Sequence, residues 1–554
     1  MLHPRLFPIH MLARLGLFFL FLTLGILHGN AQDRYAVFFT YKPQTNFSLS
    51  NPEKFLAQKS ILRRNRDKIP FDSLDFPVAS KYILGILPHI QEVLYTSKWM
   101  NAAVVVTDSE KSKVLQALPY VKKVELVAKG FYSRTGNRLD SLPPSSKWAN
   151  RVMENQSNTY DFQNQLIGIP DMHKAGFTGK GVLVAIFDAG FPGMKESPAF
   201  AHLFANKQIQ GELDVVRPWN KDVYSKNQHG TNVASLILAN QPGVLVSGAY
   251  NAQVILALTE DEATEYKIEE FNWIRAAEFA DSMGVDIINS SLGYVDFDDP
   301  GMNYTTSQLD GKSTYVTQGA AIAGKKGILV VNSVGNGGAA GNSSLVAPAD
   351  APGILSVGSV TSSSTLSSFS SKGPTADGRI KPELVAFGQG PSLIRSNGAV
   401  GAAAGTSFSA PQLAALAAGL WEAKPSWTKE DLWKSLVKSG SQYAQPDNAL
   451  GYGIPNFRLA YYGELLGISA TEPYSWSIFP NPMTSEQVSI LFGKELELVV
   501  RLIDPAGRVF YDQKVNRISS SIPFEITLPG LPSGIFIIQL FDKKQVGTLK
   551  LIKP

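Results

Sequence analysis

Between residues 188 and 407 the chain carries four side chains suited to acyl transfer, each in a local context that would hold it for chemistry. Ser407 lies in Gly405-Thr406-Ser407-Phe408-Ser409-Ala410-Pro411, after the small-residue run Gly401 to Ala404 and before an apolar helical pattern, Leu413 to Trp421. This pattern predicts a serine at the start of a buried helix. Pro411 suits the first turn, where its missing N–H is no loss. The N–H groups and partial positive charge of the helix N-terminus suit a developing oxyanion. The plain alternative is that Thr406 or Ser407 is an N-cap. A serine needs a base to act as a nucleophile near neutral pH. The large central region offers His173, His202 and His229. The first two have polar, loop-like surroundings. His229 opens His229-Gly230-Thr231, where Gly230 admits close packing beside the imidazole, and a helical pattern runs from Thr231 to Leu238. The base in turn needs a partner to hold its tautomer and stabilise the imidazolium. Asp188 ends the apolar strand pattern Val182 to Phe187, where an acid is costly unless paired; otherwise it is a turn former before Ala189-Gly190. Asn336, in Val334-Gly335-Asn336-Gly337-Gly338, offers an amide donor for an oxyanion, or an ordinary Asn-Gly turn.

Alternating strands and helices must position these residues, which predicts a parallel sheet with helices on both faces over residues 155–466. The strand patterns are Val182 to Phe187, Val254 to Leu258, Val285 to Ile288 and Ile328 to Val331. The helical patterns are Ile268 to Met283, Tyr315 to Lys325, Ser409 to Glu422 and Lys429 to Lys438. Ligands of open α/β sheets bind beyond the carboxyl ends of strands, and the candidate residues follow strands.

The flanking regions differ in character. Arg5 and Arg14 flank an apolar run from Leu15 to Leu27, and Gly29-Asn30-Ala31 supplies small residues, so residues 1–31 read as a signal peptide cut after Ala31. Residues 32–150 read as a small α/β module with a linker. Its strands are Tyr35 to Thr40, Ala102 to Thr107 and Val121 to Val127, with helices near Pro52 to Asn65 and Glu110 to Leu118. The basic cluster Lys59, Arg63, Arg64, Arg66 and Lys68 reads as a solvated helix face, with Arg63-Arg64 as an alternative dibasic processing site. The polar stretch at about 132–158 reads as an exposed, cuttable segment, which makes the module a removable propeptide. Residues 474–554 change to short strand patterns punctuated by Asp504-Pro505-Ala506-Gly507, a small β-sandwich.

With 44% hydrophobic and 18% charged residues over 554 positions, the chain is globular material, and its net charge of +4 with dispersed basic residues leaves no nucleic-acid footprint. There is no cysteine, which excludes thiol catalysis, cysteine-ligated zinc and disulfides. A nucleotide-binding α/β enzyme would need a Gly-x-Gly-x-x-Gly after its first strand or a Walker loop, and neither is present.

Taken together, the motifs resemble those of the subtilisin-like serine proteases (subtilases). The order Asp188, His229, Ser407 is the subtilisin order. The Gly405 to Pro411 box, His229-Gly230-Thr231, Phe369-Ser370-Ser371-Lys372-Gly373-Pro374 and Lys381-Pro382-Glu383 all look like subtilase segments. The resemblance implies a secreted endopeptidase made as a zymogen: Ser407 the nucleophile, His229 the base and then the acid, Asp188 the orienting group, and Asn336 with the Ser407 N–H the oxyanion hole. Ser291-Leu292-Gly293 resembles the edge segment that pairs with an extended substrate. The chemistry requires no cofactor; a structural calcium ion is compatible with the resemblance, with no ligands assigned. Departures are Ala189, where the family usually has Ser or Thr, Asn232 where a second His is common, and Ser235 where Gly is frequent. Phe479-Pro480-Asn481-Pro482, the Asp504 turn, Gly534-Ile535-Phe536 and the basic terminus resemble the sorting domain of the type IX secretion system. The implied partners are protein or peptide substrates, the chain's own propeptide and outer-membrane secretion machinery, and the implied route is export through the periplasm to the cell surface or exterior. The competing expectation is a non-catalytic binding protein on a subtilase scaffold.

Overall fold

The computed structural model describes residues 33–43, 47–130, 151–153, 161–463, 477–483, 485–491, 497–516, 523–541 and 546–554. The signal-peptide segment 1–31 and most of the expected linker lie outside the described residues.

Seven parallel strands form the central sheet, in the order Leu384–Phe387, Leu355–Val360, Leu329–Ser333, Ile287–Ser290, Leu183–Asp188, Gln253–Leu258 and Ile209–Asp214. Most of these strands are buried along their whole length, as expected for strands covered on both faces. The helices Ile268–Met283, Tyr315–Lys325, Ala410–Ala423 and Lys429–Lys438 fall where the 3.6-residue periodicity predicts them. Leu183–Asp188 lies where the strand order reverses, between the strands that follow on either side, so its carboxyl end opens at a topological switch point. The core around this sheet draws on the helix that His229 opens and the helix that follows Ser407, which are buried from His229 to Leu238 and from Ala410 to Trp421. A smaller antiparallel pair, Gln389–Ile394 with Val400–Ala404, leads into Ser407, and Arg151–Met153 adds to it with Ala402 opposite Met153.

The chain divides into two compact units. One contains residues 33–43, 77–96 and 100–130. Its four-stranded sheet runs Glu92–Ser97, Ala102–Thr107, Asp33–Phe39, Val121–Ala128 around a core that includes Val37, Tyr82, Ile86, Val105 and Leu115. The strand Glu92–Ser97 is absent from the sequence expectation. The other unit takes in residues 47–76 and 97–99 together with the central region and the C-terminal strands.

Residues 47–76 correct two expectations. The predicted helix over 52–65 is a single turn at Pro52–Lys54 followed by a helix at Gln58–Asp67. Its basic cluster is no solvated face: Arg63 and Arg64 are 2% and 0% exposed. They pair with Asp281 and Asp75, carboxylates remote in sequence or beyond the helix end, which a helical pattern cannot reveal. Burial also removes Arg63-Arg64 as an accessible processing site in this fold.

At the C-terminus, two antiparallel sheets share one core that includes Ile490, Val500, Leu502, Ile538, Leu540 and Leu551. Ser477–Phe479, Gln487–Leu491 and Phe524–Thr527 form one; Val509–Asn516, Glu497–Ile503, Gly534–Phe541 and Val546–Lys553 form the other. This is the small sandwich that the turn spacing predicts.

Candidate active site

Parallel register places the ends of four strands side by side. Asp188 is opposite Leu258, Phe187 is opposite Ser290, and Ser290 is opposite Asn332. Asp188, Ser291 and the loop leading to Asn336 therefore leave the sheet at one end.

Asp188 is wholly buried and His229 is 4% exposed. The His229 Nδ1 lies 2.8 and 3.0 Å from the two oxygens of Asp188, and the backbone N–H of Ala189 donates to the same carboxylate at 2.8 Å. Thus a backbone donor is present even though Ala189 has no hydroxyl to give. His229 begins its helix, with its backbone N–H donating to Asn227 Oδ1 at 2.9 Å and its ring against Phe408. Gly230 is required by close approach: a Cβ there would meet Gly190 O and come within 2.9 Å of both Asp188 Cβ and Phe191. Ser235, the other departure on this helix, uses its hydroxyl to accept from Ile394 N at 3.0 Å, tying the helix to the strand pair before Ser407. The remaining two histidines are engaged elsewhere. His173 and His202 place Nε2 at 3.0 and 2.9 Å from the carbonyls of Gly248 and Tyr250, and burial pushes both below the ordinary histidine pKa.

Ser407 sits in a single tight turn, Thr406–Phe408, just ahead of the helix Ala410–Ala423, with Pro411 in the helix's first turn. It is not an N-cap. That position is taken by Ser409, whose hydroxyl donates instead to Ala386 O at 3.1 Å. The Gln412 amide donates to Phe387 O and Phe408 O at 2.6 and 2.7 Å, so the turn is pinned to the end of a sheet strand. The Ser407 hydroxyl donates to Ser291 O at 3.3 Å, and the Ser291 hydroxyl returns a bond to Ser407 O at 2.7 Å.

Asn336 is oriented by the same turn: its Oδ1 accepts from Thr406 N at 2.9 Å and from Thr406 Oγ1 at 3.1 Å. With the oxygen used there, the amide nitrogen is the group left to donate elsewhere. Gly335 before it has φ +104°, and a Cβ would crowd Val346 and Ser371. This backbone bend aims Asn336 at Thr406. The segment Ser291-Leu292-Gly293 is partly committed. Leu292 O accepts from Asn332 Nδ2 at 3.2 Å, and Tyr294 is bridged antiparallel to Ala347. Among the described residues, neither backbone group of Gly293 is engaged. Among the described residues there is also no group of three or more His, Asp or Glu placed to hold a metal ion, and no calcium site is assigned.

Comparison with known proteins agrees with this geometry. Residues 179–453 match the subtilase family, residues 34–141 a peptidase S8 propeptide domain of Bacteroidota, and residues 477–554 a secretion system C-terminal sorting domain. Subtilisin amylosacchariticus of Bacillus subtilis subsp. amylosacchariticus is 27% identical over 368 residues, 66% of this chain and 81% of that protein. Subtilisin E of Bacillus subtilis (strain 168) is 26% identical over 365 residues, with the same coverage, and a subtilisin of Bacillus pumilus is 28% identical over 296 residues, 53% of this chain and 96% of its own length. With a propeptide domain before it and a secretion sorting domain after it, residues 179–453 form a subtilase domain, and the chain is an exported subtilisin-type serine endopeptidase made as a zymogen.

Proposed function

We propose that Ser407, His229 and Asp188 carry the hydrolysis, with Asn336 and the Ser407 N–H as the oxyanion hole. The observation that carries this reading is the contact of His229 Nδ1 with both oxygens of Asp188, at 2.8 and 3.0 Å. It fixes the proton on Nδ1 and leaves Nε2 as the basic nitrogen. For acylation, the Ser407 hydroxyl leaves the Ser291 carbonyl and gives its proton to Nε2 as Oγ attacks the peptide carbonyl. Asp188 stabilises the imidazolium without taking its proton. Asn336 Nδ2 donates to the tetrahedral oxygen, and the imidazolium then protonates the leaving amine. A water activated by His229 hydrolyses the acyl-enzyme by the reverse sequence of proton transfers.

An extended protein or peptide substrate pairs along Ser291, Leu292 and Gly293. Gly293 offers both backbone groups, and the Ser291 carbonyl becomes available when the Ser407 hydroxyl turns away. Residues 1–31 serve as the signal peptide, residues 155–466 as the peptidase domain, and cleavage within about 132–158 separates the propeptide. Residues 474–554 engage outer-membrane secretion machinery. The small, dispersed charge supports no nucleic-acid partner.

Labelling the processed protein with a fluorophosphonate and mapping the modified peptide tests the assignment. The expected result is attachment at Ser407, lost in His229→Ala. A folded, processed protein that takes no label would overturn it and favour the binding-protein alternative.

A further inference from the structure

The sorting-domain strand Gln487–Leu491 turns Val488 and Ile490 into the sandwich core, so Gln487 and Ser489 face the other way. Glu525, opposite Ser489 on the strand Phe524–Thr527, stands on that same outer face, with Ile526 inward. Side chains on the outer face of a sandwich are expected to meet water, yet Ser489 is 2% exposed. Arg458, from the peptidase side, lies over it. Its guanidinium donates to the Ser489 hydroxyl and sets Nη2 2.8 Å from Glu525 Oε1. Beside it, Lys174 Nζ donates to Gln487 Oε1 at 3.0 Å. Gln487, Ser489 and Glu525 thus each meet a peptidase side chain.

The peptidase side of this contact is assembled from two helices far apart in sequence. Arg458 lies on the short helix Phe457–Tyr462, whose N-cap Asn456 accepts from Arg458 N at 2.9 Å. Asp171 and Lys174 lie on helix Ile169–Lys174. Phe457 N donates to Ile167 O at 3.0 Å, and a Cβ on Gly168 would come within 3.1 Å of Phe457, so the two helices are seated with little slack. Arg458 Nε is held 2.9 Å from Asp171 Oδ2, while Nη2 reaches Glu525. One planar fork therefore joins a carboxylate of each domain. Neither helix builds this arrangement alone; it exists only where the two ends of the peptidase region have closed on one another.

We propose that Asp171, Lys174 and Arg458 form a docking surface for the chain's own sorting domain, a polar latch that closes only on a folded peptidase. The recognised chemistry is a strand face presenting an amide, a hydroxyl and a carboxylate at alternate positions and across one register pair. Such contacts are weak singly. The tether between the domains raises the effective concentration to about the millimolar range, where weak contacts suffice to populate the docked state. Docking through the three-stranded sheet leaves the four-stranded sheet on the side away from the peptidase, with Val509, Phe510 and Ile535 exposed. A chain whose peptidase has not folded lacks the Asp171 and Arg458 pair and carries its sorting domain undocked. The inference rests on residues 477–554 being the sorting domain and not on the catalytic assignments.

The test uses the full chain with Ser407→Ala. The chain has no cysteine, so Ser489→Cys supplies the sole thiol, and its rate of reaction with a chromogenic aromatic disulfide reads the undocked fraction. Thr548→Cys, at an exposed position of the other sheet, is the reference. Ser489→Cys should react at least about tenfold more slowly than the reference. Adding Glu525→Arg, which replaces an attraction to Arg458 by a repulsion, should speed it about tenfold. Asp171→Asn, which frees the Arg458 fork without touching the sorting domain, should speed it about threefold. Salt at about 1 M, where screening acts over about 3 Å, should speed it as well. None of these changes should move the Thr548→Cys rate. A second chain with Lys174→Cys and Gln487→Cys reads the same contact through the rate at which a short bismaleimide joins the two thiols, which Glu525→Arg should lower. Only variants with the parent circular dichroism are compared, and Asp171→Asn with Arg458→Gln serve if Glu525→Arg does not fold. Ser489→Cys and Thr548→Cys reacting alike, with no joining of Lys174→Cys to Gln487→Cys, would overturn the proposal. A slow Ser489→Cys thiol indifferent to Glu525→Arg, Arg458→Gln and salt would also overturn it, because the shield would then belong to the sandwich itself. Neither outcome would bear on Ser407 or His229, because docking is read without hydrolysis.

Discussion

Arg64 Nη2 lies 2.8 and 2.9 Å from the two oxygens of Asp281, a residue 217 positions later, and neither side chain reaches solvent. Arg63 shares the same carboxylate, so one aspartate answers two guanidinium groups. Such a cluster is weak evidence for net stability, because desolvation offsets much of the attraction, but breaking it is costly. Arg64→Ala in the uncut Ser407→Ala chain leaves Asp75 and Asp281 with reduced compensation. The expected loss is about 3–5 kcal/mol, the usual cost of stranding a buried charge. Urea unfolding followed by tryptophan fluorescence measures it. A change within about 0.5 kcal/mol, typical of surface substitutions, would mean that the cluster is solvated in solution.

Glu278 and Asp75 should respond to pH with opposite signs. Burial pushes the Glu278 carboxyl above its ordinary value, against bonds from Ser97 and Trp99 that lower it. A raised folded pKa means that stability is fully present below the unfolded pKa and falls as pH rises through the folded value. For Asp75, burial also pushes upward, but the bond and charge of Arg64 outweigh it and Lys326 adds to them, so its carboxyl is held below the ordinary range. Its contribution is present above the unfolded pKa and is lost only as pH falls through the depressed folded value. Glu278→Gln keeps the acceptor for Ser97 and Trp99 while removing the charge. It should therefore flatten the decline in stability above about pH 4, near the unfolded glutamate pKa, and leave the acid limb set by Asp75. Unfolding free energies from pH 3 to 8 for both chains check this; an unchanged upper limb would show that Glu278 is not what titrates.

The Ser407, His229 and Asp188 contexts were legible in the sequence because they are local. A strand pattern ending in an acid, a histidine before a small-residue helix and a serine before an apolar helix each fall within one short stretch, and the fold sets Asp188 against His229. The helices Ile268–Met283 and Tyr315–Lys325 were legible for the same reason: a long, uninterrupted period of 3.6. The burial of Arg63 and Arg64 against Asp281 was not. A helix with four basic residues reads as solvated unless its partner is known, and Asp281 lies at a helix end where nothing local requires an arginine. The strands Gln389–Ile394 and Val400–Ala404 were also missed. Their glycine, alanine and serine carry little strand preference, and their pairing with one another decides the conformation.

Asn336 has two separable functions that one substitution can divide. Its oxygen orders the Ser407 turn through Thr406, and its amide nitrogen is the proposed oxyanion donor. Asn336→Asp keeps the acceptor for Thr406 and removes the donor, setting a negative oxygen against the developing charge. Turnover should fall by at least about 10²–10³-fold, the usual loss on removing one oxyanion donor, with KM changed far less. Because Thr406 keeps its partner, thermal stability should stay close to that of the parent. Steady-state kinetics on a peptide substrate with a parallel melting curve separate the two functions. Intact turnover would remove Asn336 from the oxyanion hole, and lost stability would mean that the amide donates to the fold.

Gly230 tests whether the Asp188 and His229 contact depends on backbone approach. The helix bearing His229 runs so close to the strand end that an added methyl would meet Gly190 O and stand 2.9 Å from Asp188 Cβ. Gly190 itself cannot yield easily, because a Cβ at its φ of +137° would crowd Ser225 O, so its loop is already packed on the far side. Gly230→Ala must then move either the helix or Asp188. Overpacking of this kind costs about 1–3 kcal/mol, and the shift falls on the hydrogen bonds at 2.8 and 3.0 Å that orient the imidazole. A displacement of about 1 Å at a catalytic group lowers turnover about 10²-fold. The expected variant folds, melts earlier and labels with fluorophosphonate at least tenfold more slowly, while its substrate KM changes little because Ser291 to Gly293 follow a different strand, Ile287–Ser290. Unchanged labelling with a lowered melting point would show that the helix absorbs the methyl by moving away from the site, and the close approach would then serve packing alone.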